Sequence, residues 1–252
     1  DNDAGGSDTN ILVRFDVPNK RIDLVSLPRD TLLHNEYRNN KLNFAYAKGG
    51  TELLMEQIEN LLGIPVDFYV TVNLKGFIAL VDQIDGVDFD IPINMDYDDP
   101  YQDLHIHFTK GPRHLNGQEA MEVVRFRHNN DGTGYGTEDI GRIGTQQAFL
   151  KAVAKQLLQI GNVKNIPALV DIFYTYVKTD LTTGNLVWLG NEALNIGTEN
   201  IHFATLPGDG SGYYNKQSVY VLDAQATCDL VNEALNPYNE ALTLEDMDIL
   251  VP

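Results

Sequence analysis

Strand-like and helix-like segments alternate along almost the whole of this 252-residue chain, and this order restricts the folds open to it. Residues 11–17 and 21–27 are rich in β-formers and are joined by Pro18-Asn19-Lys20, a hairpin signal. Residues 50–62 carry leucine and isoleucine at helical spacing, and Gly63 is placed to end that helix. Such alternation predicts an α/β fold, a layered α/β/α arrangement with a central mixed β-sheet flanked by helices on both faces.

Composition narrows the function. The formal net charge is −18 and 43% of the residues are hydrophobic, so the chain can bury a sizeable core but lacks the basic face that binds nucleic acid. The single cysteine, Cys228, excludes an intramolecular disulfide. No apolar run of about 18 residues is present. The chain begins with Asp1 rather than Met, which indicates a trimmed piece of a longer protein.

Four of the eight arginines lie in two short regions of this acidic chain. Arg29 follows a predicted strand, Arg125 and Arg127 flank Phe126, and Arg142 begins a predicted helix. Arginine binds phosphate oxygens two at a time through its planar guanidinium group. If residues 125–127 are extended, both guanidinium groups point to one side while Phe126 points into the core. We therefore expect a local pocket for a small anion; the alternative is an exposed strand edge with solvated arginines.

Arg142 and Gln146 are four residues apart on the first turns of a helix predicted over residues 141–160, so they share a face. Asp139 precedes them and is placed to cap that helix or to hold Arg142. The free N–H groups and partial positive charge of a helix N-terminus also suit phosphate. The alternative is an ordinary surface helix start.

Three segments contain candidate metal ligands. Asp8 follows two glycines and offers an oxygen ligand to a hard cation such as Mg²⁺, the alternative being a flexible terminus. Residues 95–100 resemble a Ca²⁺ loop, but they lack its glycine and its final glutamate, so a solvated turn is favoured. His105 and His107 alternate on a predicted strand, but the sequence shows no third ligand, so a metal there is disfavoured.

Together these segments resemble the LytR-CpsA-Psr family. The resemblance is strongest over residues 7–160 and implies one catalytic domain over residues 1–252. The matching motifs, in the order and spacing of the family, are Ser7-Asp8-Thr9, Ser26-Leu27-Pro28-Arg29-Asp30-Thr31, Lys41-Leu42-Asn43-Phe44-Ala45-Tyr46, Met95-Asp96-Tyr97-Asp98-Asp99-Pro100, His114-Leu115-Asn116-Gly117, Val124-Arg125-Phe126-Arg127-His128 and Gly141-Arg142-Ile143 with Gln146-Gln147.

The resemblance implies a Mg²⁺-dependent phosphotransferase that moves a glycopolymer, of teichoic acid or capsule type, from a polyprenyl pyrophosphate carrier to peptidoglycan. It also implies an extracytoplasmic location and a membrane anchor outside this piece. By the same resemblance, four arginines and Gln146 grip the pyrophosphate, while Lys41 and Asp139 contact the substrate. Asp8 holds the metal, with Asp1 standing in for a second metal-site aspartate. The four arginines are Arg29, Arg125, Arg127 and Arg142.

Two other functions stay open from the sequence: a pyrophosphatase acting on polyprenyl pyrophosphate, and a noncatalytic regulator that binds polyprenyl phosphate. The sequence departs from the family pattern at Gly6 and Thr145, where basic residues are usual. A weaker grip on phosphate is the expected consequence.

Overall fold

The computed structural model describes residues 6–101, 103–136, 138–159 and 173–251. Within these ranges the strands are β1 (Asn10–Asp16), β2 (Arg21–Leu27), β3 (Val70–Val72), β4 (Val87–Ile91), β5 (Met95–Asp99), β6 (Leu104–Phe108), β7 (Gly111–Leu115), β8 (Val177–Thr179), β9 (Ile201–Thr205), β10 (Gly208–Tyr214) and β11 (Gln217–Leu222). The helices are α1 (Leu42–Leu62), α2 (Leu74–Gln83), α3 (Gly117–Arg125), α4 (Glu138–Gln159), α5 (Thr183–Ile196) and α6 (Ala224–Ala234). The predicted α/β class is confirmed.

The chain forms two compact units, one of Asp1–Asp67 with Glu199–Pro252 and one of Phe68–Thr198. The prediction of one catalytic domain over the whole chain stays a prediction. None of the described helices has both the length and the apolar character needed to cross a membrane.

The first unit contains the mixed sheet that the sequence predicts. Strand β2 pairs antiparallel with β1 and parallel with β9. The inward side chains Val25 and Leu27 of β2 are buried with Leu42 and Leu61 of α1, and this apolar cluster extends to Leu222 of β11. Burial of this apolar surface is the main force that holds β2 and the start of α1 together.

Glycines shape α1. Gly49 and Gly50 have non-helical backbone angles inside the element, and Gly50 has a φ of 68°. Helix α1 begins at Leu42, earlier than the predicted residue 50, and is interrupted at these two glycines. Gly63 ends it in the left-handed region at φ 67°, with its N–H bonded to Glu59 O, as the sequence predicts.

In the second unit, β4 pairs with β7, β5 with β6 and β3 with β8, all antiparallel. Helices α2, α3 and α4 surround an apolar core that contains Phe126 and Phe149. The spacing of Asn116 and Glu119 predicts a capped helix over residues 117–123. In the structure Asn116 caps α3 and forms a reciprocal capping box with Glu119, which confirms the predicted start of this helix.

Candidate functional site

Arg29 lies in the turn that follows β2, and its backbone is held on both sides. The Thr31 N–H and Thr31 Oγ1 both donate to Pro28 O, at 3.0 and 2.7 Å. Asn43 N, at the start of α1, donates to Arg29 O at 2.9 Å. The contacts between the turn and α1 place the Arg29 side chain relative to Lys41, which directly precedes α1.

The side chains around Arg29 form a compact cluster of two cations and two carboxylates. Arg29 Nη1 donates to Asp8 Oδ1 at 2.5 Å, and Arg29 Nε lies 3.5 Å from Asp30 Oδ1. Lys41 Nζ lies 3.1 Å from the other oxygen of Asp30, and Asn43 Nδ2 donates to Asp30 Oδ1 at 3.4 Å. Alternating charges at this spacing hold both cations in place without a ligand. The structure thus brings together Arg29, Lys41 and Asp8 as the sequence predicted, and adds Asp30.

The donor set of this cluster suits a hard cation. Both carboxylate oxygens of Asp30 contact cations, and one of them also accepts from an amide. The side chain of Asp8 is 78% exposed and contacts only Arg29 in the ion pairs described for it. Carboxylate oxygens with solvent nearby are the ligands that Mg²⁺ prefers. The Mg²⁺ itself stays a prediction, and Asp1, the second proposed ligand, lies outside the described residues.

Close packing explains why a glycine occupies position 6. A Cβ built on Gly6 would lie 2.9 Å from Asn43 O, closer than side chains approach a backbone oxygen. The segment before Asp8 therefore runs tight against the start of α1. A basic side chain at Gly6 would require the backbone to move.

The backbone conformation at Arg125 differs from the sequence prediction. It is the last residue of α3, and Phe126 is the C-cap with φ −58° and ψ 136°, so residues 125–127 are not one extended segment. The helix ends two residues beyond residue 123, where the prediction ended it. The predicted burial of Phe126 is confirmed: it is 1% exposed and packs edge to face against Tyr135. Arg125 is half-buried and its Nη1 lies 3.8 Å from Met121 Sδ, while Arg127 is exposed.

Gln146 joins α4 to the end of α3. Its Nε2 donates to Val124 O at 3.0 Å, and Val124 directly precedes Arg125. The last carbonyls of a helix have no partner within the helix, so this contact satisfies one of them. Gln146 thereby positions the backbone that carries Arg125. Its predicted hydrogen bond to a phosphate stays a prediction.

The start of α4 packs around Tyr135. Thr145 Oγ1 donates to Tyr135 Oη at 2.9 Å, and Arg142 is only 5% exposed. Burial raises the pKa of Tyr135, while the Thr145 hydrogen bond and the charge of Arg142 oppose that rise. Thr145 therefore has a packing role at the position where the family pattern suggests a second arginine. Asp139 belongs to α4, but its side chain lies outside the described residues.

The described residues predicted for the phosphate and metal sites thus fall in two groups. Arg29, Lys41 and Asp8 belong to the first unit, and Arg125, Arg127, Arg142 and Gln146 belong to the second. That all four arginines bind one anion stays a prediction.

One group of polar residues was missed at the sequence level. The pairing of β5 with β6 sets Asp98 opposite His105 and Asp96 opposite His107. Asp98, His105 and His107 each offer a ligand atom, and these atoms lie within 4.8 Å of one another. Asp98 is therefore a potential third ligand, which the sequence did not show. The signal was the run of alternating aspartates at residues 96 and 98, which pairs with the histidines only once the strand register is known.

The fold and these clusters define an α/β protein with arginine- and aspartate-rich polar sites. The profile of the LytR_cpsA_psr family matches residues 1–236. The chain belongs to the LytR-CpsA-Psr family.

Individual relatives agree with this assignment. The chain is 32% identical to the teichoic acid transferase TagU of Bacillus cereus, over 92% of this chain and 73% of that protein. It is 32% identical to the teichoic acid transferase TagV of Bacillus subtilis over 88% of this chain, but it spans only 57% of that protein's length. The regulatory protein MsrR of Staphylococcus aureus is 29% identical over 80% of this chain and 59% of that protein.

Solved structures show the same fold. The crystal structure of Bacillus subtilis TagV has a TM-score of 0.77, with 28% identity over 98% of this chain and 91% of that chain. This likeness confirms the predicted α/β fold.

Proposed function

We propose that the chain is the catalytic part of a phosphotransferase that transfers a glycopolymer from a polyprenyl pyrophosphate carrier to peptidoglycan. The observation that carries the proposal is the cluster in which Arg29 is held between Asp8 and Asp30 beside Lys41. Such a cluster suits a pyrophosphate, which is a compact, multiply charged anion. Its support comes from the teichoic acid transferases TagU and TagV, which resemble this chain over most of its length.

In the proposed reaction, a hydroxyl oxygen of the acceptor attacks the sugar-side phosphorus of the donor. A new P–O bond forms, the bond from that phosphorus to the bridging oxygen breaks, and polyprenyl phosphate leaves with the bond's electron pair. The hydroxyl proton passes to solvent or to a nearby carboxylate. Negative charge grows on the bridging oxygen, so fixed cations lower the barrier mainly by electrostatic stabilisation.

Different side chains have different proposed roles in this reaction. We assign Arg29 and Lys41 to pyrophosphate oxygens, because the ion pairs to Asp30 already orient both of them. Arg125, Arg127, Arg142 and Gln146 are proposed to bind phosphate oxygens by the family resemblance, and Asp139 to contact the substrate. Mg²⁺ bound by Asp8 would neutralise phosphate charge. The proposal places the reaction outside the cytoplasm, on a membrane-anchored parent protein of a Gram-positive envelope.

The test supplies a synthetic lipid-linked pyrophosphate donor with and without a peptidoglycan acceptor. We expect acceptor-dependent coupled product, and a loss of about 100-fold in turnover for Arg29→Ala and for Arg127→Ala, the scale for one charge-stabilising donor. Arg14→Ala is the matched control, because Arg14 pairs with Asp16 on β1 and has no proposed role. Near-normal turnover in both site variants would rule out the proposal.

The same assay separates two other functions. Release of phosphate without coupled product would indicate a pyrophosphatase. Binding of polyprenyl phosphate that persists in EDTA, with no turnover, would indicate a regulator, a function favoured by the likeness to the regulatory protein MsrR.

A further inference from the structure

The β5–β6 hairpin presents an outward face composed of carboxylates and imidazoles. On β5, Met95 is buried while Asp96 and Asp98 are exposed, and on β6 the buried Leu104, Ile106 and Phe108 alternate with His105 and His107. Because side chains alternate along a strand, the four polar residues share one face. Their cross-strand register makes them direct neighbours.

Asp98 lies at the centre of this face. His105 Nδ1 lies 2.5 Å from Asp98 Oδ1, and His107 Nε2 lies 3.4 Å from the same oxygen. Two ligand atoms about 2.0–2.1 Å from a tetrahedral zinc ion lie roughly 3.3–3.4 Å apart, so small side-chain rotations would bring these three groups onto one ion.

The second nitrogen of each imidazole also faces a carboxylate. His107 Nδ1 lies 2.8 Å from Asp96 Oδ1, and His105 Nε2 lies 3.5 Å from Asp103 Oδ1. In metal sites a ligating histidine donates its other N–H to such a partner, which fixes the tautomer and the ring orientation. Here both histidines have that partner already, on the side away from Asp98.

The hairpin is also held in place from its free edge. Asn129 Oδ1 accepts from Asp96 N at 2.7 Å, and Asn130 Oδ1 accepts from Asp98 N at 2.6 Å. Asn130 Nδ2 donates back to Asp98 O at 3.0 Å. These bonds fix the backbone under the two aspartates, and a site on supported strands keeps its geometry better than one on a loop.

We propose that Asp98, His105 and His107 form a binding site for a divalent transition metal of the zinc type, with Asp96 and Asp103 as the outer partners of the imidazoles. Two imidazoles and one carboxylate select zinc-like ions over Mg²⁺ and Ca²⁺, which prefer oxygen ligands alone. The site is separate in residues and in chemistry from the proposed Mg²⁺ at Asp8. Because Asn129 and Asn130 follow Arg127 closely in the chain, a bound ion would stiffen the segment next to that arginine.

The chain contains a matched control for this site. His114 on β7 faces Asp88 on β4 with Nδ1 to Oδ1 at 2.8 Å, which is the same cross-strand contact with a single histidine. Within the part of the chain that the structure describes, only Asp98, His105 and His107 form a group of three potential ligands.

The experiment titrates untagged protein with Zn²⁺ against a chromophoric chelator, in excess Mg²⁺. We expect one zinc ion per chain, and a fall in affinity of at least about tenfold to 100-fold for His107→Gln and for Asp98→Ala, since even outer-partner losses reach this range. His114→Gln should bind as the wild type does. Circular dichroism checks that each variant is folded, which the exposure of these side chains favours.

X-ray absorption of the zinc complex should show two imidazoles in the coordination shell. The proposal is overturned if the wild type binds no zinc, if His107→Gln and Asp98→Ala bind as tightly as the wild type, or if His114→Gln loses as much affinity as they do.

Discussion

Gln146 Nε2 donates to Val124 O at 3.0 Å, so the side chain of α4 that the family resemblance assigns to phosphate also holds the last turn of α3. Gln146→Ala leaves a half-buried helix carbonyl without that partner. We expect the free energy of unfolding to fall by about 0.5–1.5 kcal/mol, the usual net value of one hydrogen bond. Urea denaturation measures it.

The matched control is Gln118→Ala on the surface of α3. Gln118 donates to Glu122 one turn away at 2.8 Å, in an exposed pair that should contribute only a few tenths of a kcal/mol. Equal losses in the two variants would show that the Gln146 hydrogen bond contributes no more to the free energy of unfolding than an exposed pair does.

Gly141 and Gly144 lie on the same helix but differ in surroundings. A Cβ on Gly141 would lie 2.2 Å from Tyr135 Cβ, whereas a Cβ on Gly144 would meet nothing within 4 Å. Gly141→Ala therefore forces Tyr135 away and should cost about 1–3 kcal/mol of unfolding free energy. Gly144→Ala should instead stabilise the helix by up to about 1 kcal/mol. Urea denaturation of both variants checks the difference in sign; a stabilised Gly141→Ala contradicts the packing described.

Local signals predicted much of this fold correctly. The cap at Asn116 and the helix end at Gly63 depend on side chains and glycines only a few residues away, so short-range chemistry determines them. The end of α3 at Arg125 was not predicted from the sequence. The length of this helix depends on how its last turn packs, so a local pattern does not determine it.

The candidate sites were only partly predictable from the sequence. The resemblance to the family motifs pointed to Arg29, Asp8 and Lys41, which lie in three separate segments of the sequence. Asp30 emerged only from geometry, since its role is to bridge two cations that are 12 residues apart in the chain. The pairing of Asp98 with His105 required the register of β5 and β6, which depends on the buried side chains of both strands and on the turn between them.

Asp30→Asn tests whether the cluster around Arg29 is prearranged for a phosphate. The substitution keeps the shape of the side chain but removes the charge that orients Arg29 and Lys41. Misplacement of a binding group by about 1 Å can cost up to about 100-fold in rate, so kcat/KM for the lipid-linked donor should fall by about tenfold to 100-fold. Steady-state kinetics of the coupled assay measure it.

Asp16→Asn is the control for that loss. Asp16 pairs with Arg14 on β1, accepts hydrogen bonds from Asn19 and has no proposed role, so its neutralisation should leave kcat/KM within about twofold of the wild type. A wild-type kcat/KM in Asp30→Asn would show that Arg29 and Lys41 do not need this carboxylate for turnover.

The contact between His114 and Asp88 makes a small part of the stability dependent on pH. The hydrogen bond to Asp88 is the main cause that raises the pKa of His114, and Asp85 adds to it through a backbone contact and its charge. A folded-state pKa above the unfolded value of about 6.5 means that protonation favours the folded state. This stabilisation is fully present below the unfolded pKa and is lost as the pH rises through the folded pKa.

We therefore expect the wild type to exceed His114→Gln in unfolding free energy near pH 6, and this difference to shrink toward about pH 8. The side chain of His114 is 55% exposed, so solvent screens the pair, and added salt should reduce the difference at the lower pH. Urea denaturation of both proteins across this range, in zinc-free buffer, measures it. A difference that stays constant with pH, or that grows as the pH rises, would show that the protonated ring does not stabilise the β4–β7 pair.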